Sequence, residues 1–159
     1  MKLLSALAMG LMLAGPVSAQ DLAKGWDAYR AGDYTTALQE WRPLAEQGYA
    51  NAQSDLGYLY HLGAGVPQDY AEAAKWYLLA AKQGYAKAQG QLGFMYQHGD
   101  GMPQDYVIAH MWYNIRAANG SGLGAMNRAE IEERMTREQI AEAQALARRC
   151  MASDYEDCG

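Results

Sequence analysis

No run of basic residues longer than Arg148-Arg149 occurs in this chain, whose formal net charge is -5. Phosphate backbones are held by clustered Lys and Arg, so nucleic acid is not an expected partner. Cysteine is scarce too: Cys150 and Cys158 are the two present, they form no CxxC pair and no histidine lies near them. That disfavours dithiol redox and thiolate-metal chemistry. The three histidines, His61, His98 and His110, stand at no metal-ligand spacing and read as helix-surface or helix-end residues. Serine acylation of the Ser-x-x-Lys type needs a lysine one helical turn after the nucleophile, and no serine here has one; Gly-x-Ser-x-Gly is also absent. Glu132 and Glu133, adjacent in sequence, diverge on a helix and suit a solvated face better than paired-carboxylate chemistry. The expectation is a protein with no enzymatic activity, no cofactor and no metal.

Long apolar runs are missing as well. The most apolar stretch, Leu3 to Leu13, is far short of the ~20 residues that cross a bilayer. With Lys2 before it, Gly15-Pro16 after it and the small residues Val17-Ser18-Ala19, it reads as a secretory signal, residues 1–19, cut after Ala19. The expected product is one exported domain, residues 20–159, with no membrane span, periplasmic or secreted. In an oxidising compartment the spacing of eight between Cys150 and Cys158 lets the tail fold back and close a disulfide. Its chain-entropy contribution is about 2 to 3 kcal/mol, suited to pinning a frayed end.

What the chain has in abundance is itself. Asp33 to Gln68 set against Asp69 to Gln104 without a gap gives 17 identities in 36 positions, where unrelated sequences would share about two or three. Asp105 opens a third copy, with Tyr106, Ala109, Trp112, Tyr113, Ala117 and Gly120 in phase. In the second copy Asp69 and Glu72 predict a capping-box helix start, and Ala73, Trp76, Tyr77, Ala80 and Ala81 make one apolar stripe. Gln83-Gly84 ends that helix. A second helix follows, with Ala88, Leu92, Met95 and Tyr96 on one face, and closes at Gly99-Asp100-Gly101-Met102-Pro103. Gly57 and Gly93, with Ala52 and Ala88, mark close helix approach, since a helical glycine costs about 1 kcal/mol relative to alanine. The aromatics Tyr58, Tyr60, Phe94 and Tyr96 are assigned to core packing.

Ala-Lys-Trp-Tyr, Ala-Ala-Lys-Gln-Gly-Tyr-Ala-Lys-Ala-Gln, Leu-Gly-Phe-Met-Tyr and Gly-Asp-Gly-Met-Pro-Gln-Asp-Tyr together resemble the Sel1-like repeat, a relative of the tetratricopeptide repeat, over about residues 33–120. The resemblance implies an all-α fold, an α/α solenoid of helix-turn-helix repeats, whose relatives act mostly as adaptors and scaffolds. Some cysteine-rich members have been called β-lactamases, a reading the missing Ser-x-x-Lys disfavours. The repeats fall at about 33–68, 69–104 and 105–135. Leu22 to Ala31 reads as an N-terminal capping helix, and Thr136 with Gln139 opens a C-terminal cap, 136–159. In copy one Pro43 predicts a kink, and Trp41 is displaced by one from the Trp76 and Trp112 position. Copy three replaces Leu92-Gly93 by Arg128-Ala129, so its second helix diverges.

In such an array the frame residues repeat and recognition residues vary. Gln39, Lys75 and Met111 are equivalent, as are Arg42, Leu78 and Asn114, then Glu46, Lys82 and Ala118. They predict a stripe across the first helix of each copy, lining a concave face that contacts a protein or peptide. The chain is expected to be a monomer or weak oligomer; a structural subunit of a larger envelope assembly is the alternative.

Overall fold

The structure, a computed structural model, describes residues 19–158. The signal segment expected over residues 1–19 lies, apart from Ala19, outside the described residues. Those residues form eight helices and no strand: α1 (Ala19–Arg30), α2 (Tyr34–Glu46), α3 (Ala50–Leu62), α4 (Tyr70–Ala81), α5 (Ala86–His98), α6 (Tyr106–Ala118), α7 (Gly122–Glu132) and α8 (Arg137–Ala152). This is an α/α solenoid. None of the eight is long and apolar enough to cross a membrane.

Local chemistry sets the helix ends. Asp33, Asp69 and Asp105 each cap a helix, their carboxylates accepting from the backbone N–H groups of Thr36, Glu72 and Ile108 at 2.9 to 3.0 Å. The capping box expected at Asp69 forms only its first half. Glu72 is held by the Lys75 Nζ at 2.9 Å, and the Asp69 N–H, which the box would satisfy, donates to the Tyr60 carbonyl at 3.0 Å. Asp105 does the same to Tyr96 at 2.9 Å, so this donor ties each first helix back to the one before it. A complete box does form at Thr136 and Gln139. The helix α2 runs on through Pro43 to Glu46.

Packing follows one repeated motif. Trp41, Tyr77 and Tyr113 occupy one repeat position and are buried at 0, 0 and 1 % exposure. Each aromatic ring lies on a glycine of the preceding helix. A Cβ would stand 2.1 Å from Trp41 at Gly25, 3.0 Å from Tyr77 at Gly57 and 2.4 Å from Tyr113 at Gly93. The helices therefore pair as α1/α2, α3/α4 and α5/α6, with the glycines admitting the ring. Trp41 is thus not displaced from its frame: it fills the ring position, and α1 docks as the first half of a unit, which is more than a cover. Beyond α6, Gly124 brings α7 down onto the Ala117 backbone, and α8 buries Ala143, Ala147 and Cys150. The expected disulfide joins Cys150 to Cys158, with Cα atoms 4.4 Å apart. It folds the tail so that the Tyr155 hydroxyl meets the Asn119 amide at 3.2 Å.

The helices form two rows. One row holds α1, α3 and α5, the other α2, α4 and α6. Across the first row the Lys87 Nζ of α5 reaches 5.0 Å from the Trp26 ring of α1, passing over α3. Side chains two units apart meet on the inside of a bend, so α1, α3 and α5 form the inner row. The stripe expected on α2, α4 and α6 is therefore carried by the outer row, a correction to the concave-face reading.

Candidate interaction surface

The stripe positions do not share one environment. Gln39 is exposed. Arg42 donates to the Tyr60 hydroxyl at 2.8 Å, and Asn114 accepts from Arg128 at 2.9 Å, so both are tied to the neighbouring helix. Met111 is fully buried, in the same cluster as Tyr77, Trp112 and Ala147. The C-terminal helix covers this position, which its equivalents Gln39 and Lys75 leave open, and Met111 is a core residue, not a surface one.

Lys75, Leu78 and Lys82 remain together. They edge a cleft of about 280 Å³ whose apolar lining includes Leu92, Tyr96 and Trp112. Its far wall is the disulfide-closed tail, with Cys158 lining the cleft and Glu156 set 3.7 Å from the Lys82 Nζ. Leu78 is 39 % exposed and Leu79, next to it, 48 %. Lys75 is held above its ordinary pKa by its hydrogen bond to Glu72, which keeps it cationic at the cleft edge. The tail's part in this cleft was not legible from residue spacing, because it depends on where α8 lands.

A second cluster sits on the inner row. Asp55, on α3 and 2 % exposed, meets the Lys87 Nζ at 2.8 Å. Lys87 also faces the Tyr58 ring at 5.9 Å and the Trp26 ring. Burial pushes the Asp55 carboxyl above its ordinary value of 3.8, and the charge of Lys87 only partly opposes this. Folded Asp55 thus keeps its proton to higher pH than unfolded Asp55. As pH rises from about 4 the unfolded state loses this proton first, and stability falls until the folded value is passed. Asp55→Asn removes that term. Urea midpoints of Asp55→Asn should gain on the wild type between pH 4 and pH 7; a loss would mean that the Lys87 pair outweighs burial.

His61 and His98 stand in the last turns of their helices as expected, and His110 does not. His110 is fully buried, with its Nε2 2.8 Å from the Glu132 carboxylate. Glu132 is therefore engaged inside the α6/α7 contact and not on a freely solvated face. His61 lies between Tyr70 and Phe94, ring centroids at 5.2 and 6.2 Å. Phe94 is 41 % exposed and stacks on His98 at 4.0 Å, whereas Tyr58, Tyr60 and Tyr96 pack against the core.

An aromatic ring is seated on a glycine once in each of the three pairs: Trp41, Tyr77 and Tyr113. The Sel1 repeat is recognised at residues 50–85 and 86–121. A Sel1 repeat protein from Oxalobacter formigenes is 32 % identical, with a TM-score of 0.61, covering 69 % of this chain and 86 % of that one. The chain belongs to the Sel1 repeat family. The recognised Sel1 units coincide with the α3/α4 and α5/α6 pairs, and so open one helix later than units set out from Asp33. A second solved structure, a protective antigen present in uropathogenic Escherichia coli strains and displaying an SLR fold, is 31 % identical over 85 % of this chain, with a TM-score of 0.79. This chain spans 31 % of that protein's length. Comparison with curated proteins finds no match. Sel1 repeats are in general protein-interaction modules, and their solenoid is generally non-catalytic.

Proposed function

We propose that this Sel1 repeat chain is an exported adaptor that binds a protein or peptide through the cleft edged by Lys75, Leu78 and Lys82. The observation that carries the reading is the combination of an apolar floor with exposed Leu78 and two lysines at its edge. An apolar concavity is what a partner's anchor side chain fills, and the lysines would orient an acidic flank of the partner. An oxidising destination suits the Cys150–Cys158 bridge, which shapes the cleft wall. A cleft of this size fits one or two side chains, consistent with a modest interface and transient capture.

The test is crosslinking of residues 20–159 in the native envelope, beside a Lys75→Glu/Leu78→Ala variant. Capture of a dominant partner should be lost in the variant. Both residues sit on the surface, where substitutions change stability by about 0.5 kcal/mol or less, so the melting temperature should move by no more than about 4 °C. Partner capture that survives the double substitution sinks the proposal.

A further inference from the structure

At one frame position the repeat breaks its own rule. Leu44 and Ala80 are equivalent and buried, at 4 and 0 % exposure. The third copy places Arg116 there. Its guanidinium is accommodated by Gly90 of α5, where a Cβ would stand 2.3 Å from an Arg116 Nη; the equivalent residue in copy one is Ser54. An arginine and the glycine that makes room for it thus occur together.

This guanidinium is poorly satisfied. Among the described residues Arg116 makes one hydrogen bond, to the Asn127 Oδ1, at 3.5 Å. Its buried Nε has no hydrogen-bond partner, and no carboxylate lies within ion-pair distance of it among those residues. Burial lowers its pKa from the ordinary value, a cost that an anionic partner would offset. The surroundings form a concavity of about 180 Å³, lined by Lys87, Gln91 and Asn127 on the polar side and Phe94 and Tyr113 on the aromatic side. Lys87 is already matched by Asp55, which leaves Arg116 as the uncompensated charge. This site lies between α5, α6 and α7 and shares no lining residue with the cleft at Lys75.

We infer that the Arg116 pocket is a binding site for a carboxylate carried beside an apolar group. The planar fork of Arg matches a carboxylate in two parallel hydrogen bonds. Asn127 and Gln91 supply further polar contacts, and the Phe94 and Tyr113 rings receive the apolar neighbour. A peptide C-terminus ending in an apolar residue and a Glu side chain next to one both present this chemistry. The pocket stands apart from the adaptor cleft, and neither site depends on the other.

Three probes separate the sources: N-acetyl-phenylalanine, its amide, and N-acetyl-phenylalanyl-glutamic acid α-amide, in which the side chain carries the only carboxylate. Each is titrated into residues 20–159 while the Arg116 Nε–H resonance is followed, with inorganic phosphate as a fourth titrant. The free acid should shift that resonance saturably, with a Kd on the order of 1 mM, and the amide should not. Saturation by the glutamic acid α-amide at lower concentration than by N-acetyl-phenylalanine would assign the site to a side-chain carboxylate; the reverse order assigns it to a C-terminus. Arg116→Gln should lose saturation at the neighbouring Gln91 and Asn127 amides, and Arg116→Lys should weaken it at least tenfold, both with unchanged helical circular dichroism. Equal shifts from acid and amide, tighter binding of phosphate than of either acid, or saturation retained in Arg116→Gln would overturn the inference.

Discussion

Gly93→Val is expected to cost about 3 kcal/mol or more, and Gly93→Ala about 1 to 2. A Cβ at Gly93 would stand 2.4 Å from the Tyr113 ring, well inside any real contact. That ring cannot swing aside, because Tyr113 is buried and its hydroxyl donates to the Gln97 amide oxygen at 2.8 Å. The same burial pushes the phenol to about 12. The helical propensity gained on replacing glycine, about 1 kcal/mol, offsets only part of the clash. The identity of the neighbour decides the cost, so a series tests it. Gly90→Ala meets an Arg116 Nη at 2.3 Å, nominally a closer contact, but this is the end of a flexible side chain that can move. It should cost less than Gly93→Ala. Gly57→Ala, 3.0 Å from the Tyr77 ring, should be close to neutral. Urea denaturation of the three alanine variants reads out the order, and a Gly93→Ala no costlier than Gly90→Ala would show that α5 is not held against Tyr113 as described.

Gly57 and Gly93 were legible in the sequence because they recur in phase with the ring they admit; Gly25 and Gly90 stand at no recurring position. Period, caps and the glycine-ended loops were legible for the same reason: each is a local chemical requirement repeated with every copy. The functional surface was less so. Lys75 and Met111 are equivalent by register, yet one is exposed and the other buried under α8, because the array ends and its last helix covers the terminal copy. Alternating exposure cannot be extrapolated past an end. The identity of the inner row was hidden for a related reason. Curvature is the sum of small rotations between units, and only a contact such as Lys87 with Trp26 reveals its sign. Arg116 carried a signal of its own: a charged residue at a position where the other copies hold Leu44 and Ala80. In a repeat protein, a break at a frame position says more than variation at a free one.

Trp41→Ala is the substitution expected to act furthest from its own position. Trp41 is fully buried and its indole N–H donates to the Leu22 carbonyl at 3.3 Å. Its ring lies 5.1 Å from Trp26 and 6.1 Å from Tyr29. Truncation of a buried tryptophan costs about 3 to 5 kcal/mol, and here the packing it removes is chiefly the packing that holds α1. Units of a solenoid pack chiefly on their neighbours, so the loss should appear first as detachment of α1 and only then as global unfolding. Trypsin should therefore cut after Arg30, the last residue of α1, many times faster in Trp41→Ala than in the wild type. With Trp26 removed from the inner row, Lys87 keeps Asp55 but loses the ring beneath it, so Lys87 and Asp55 should show the next largest change in amide protection. Trp41→Tyr separates docking from mere volume: the other units place Tyr77 and Tyr113 at this position against a glycine. It should recover more than half of the lost stability, and the slow cleavage at Arg30 with it. If Trp41→Ala stays within about 1 kcal/mol of wild type and Arg30 remains protected, α1 is held by something other than the ring seated on Gly25, and its place as the first half of a unit fails.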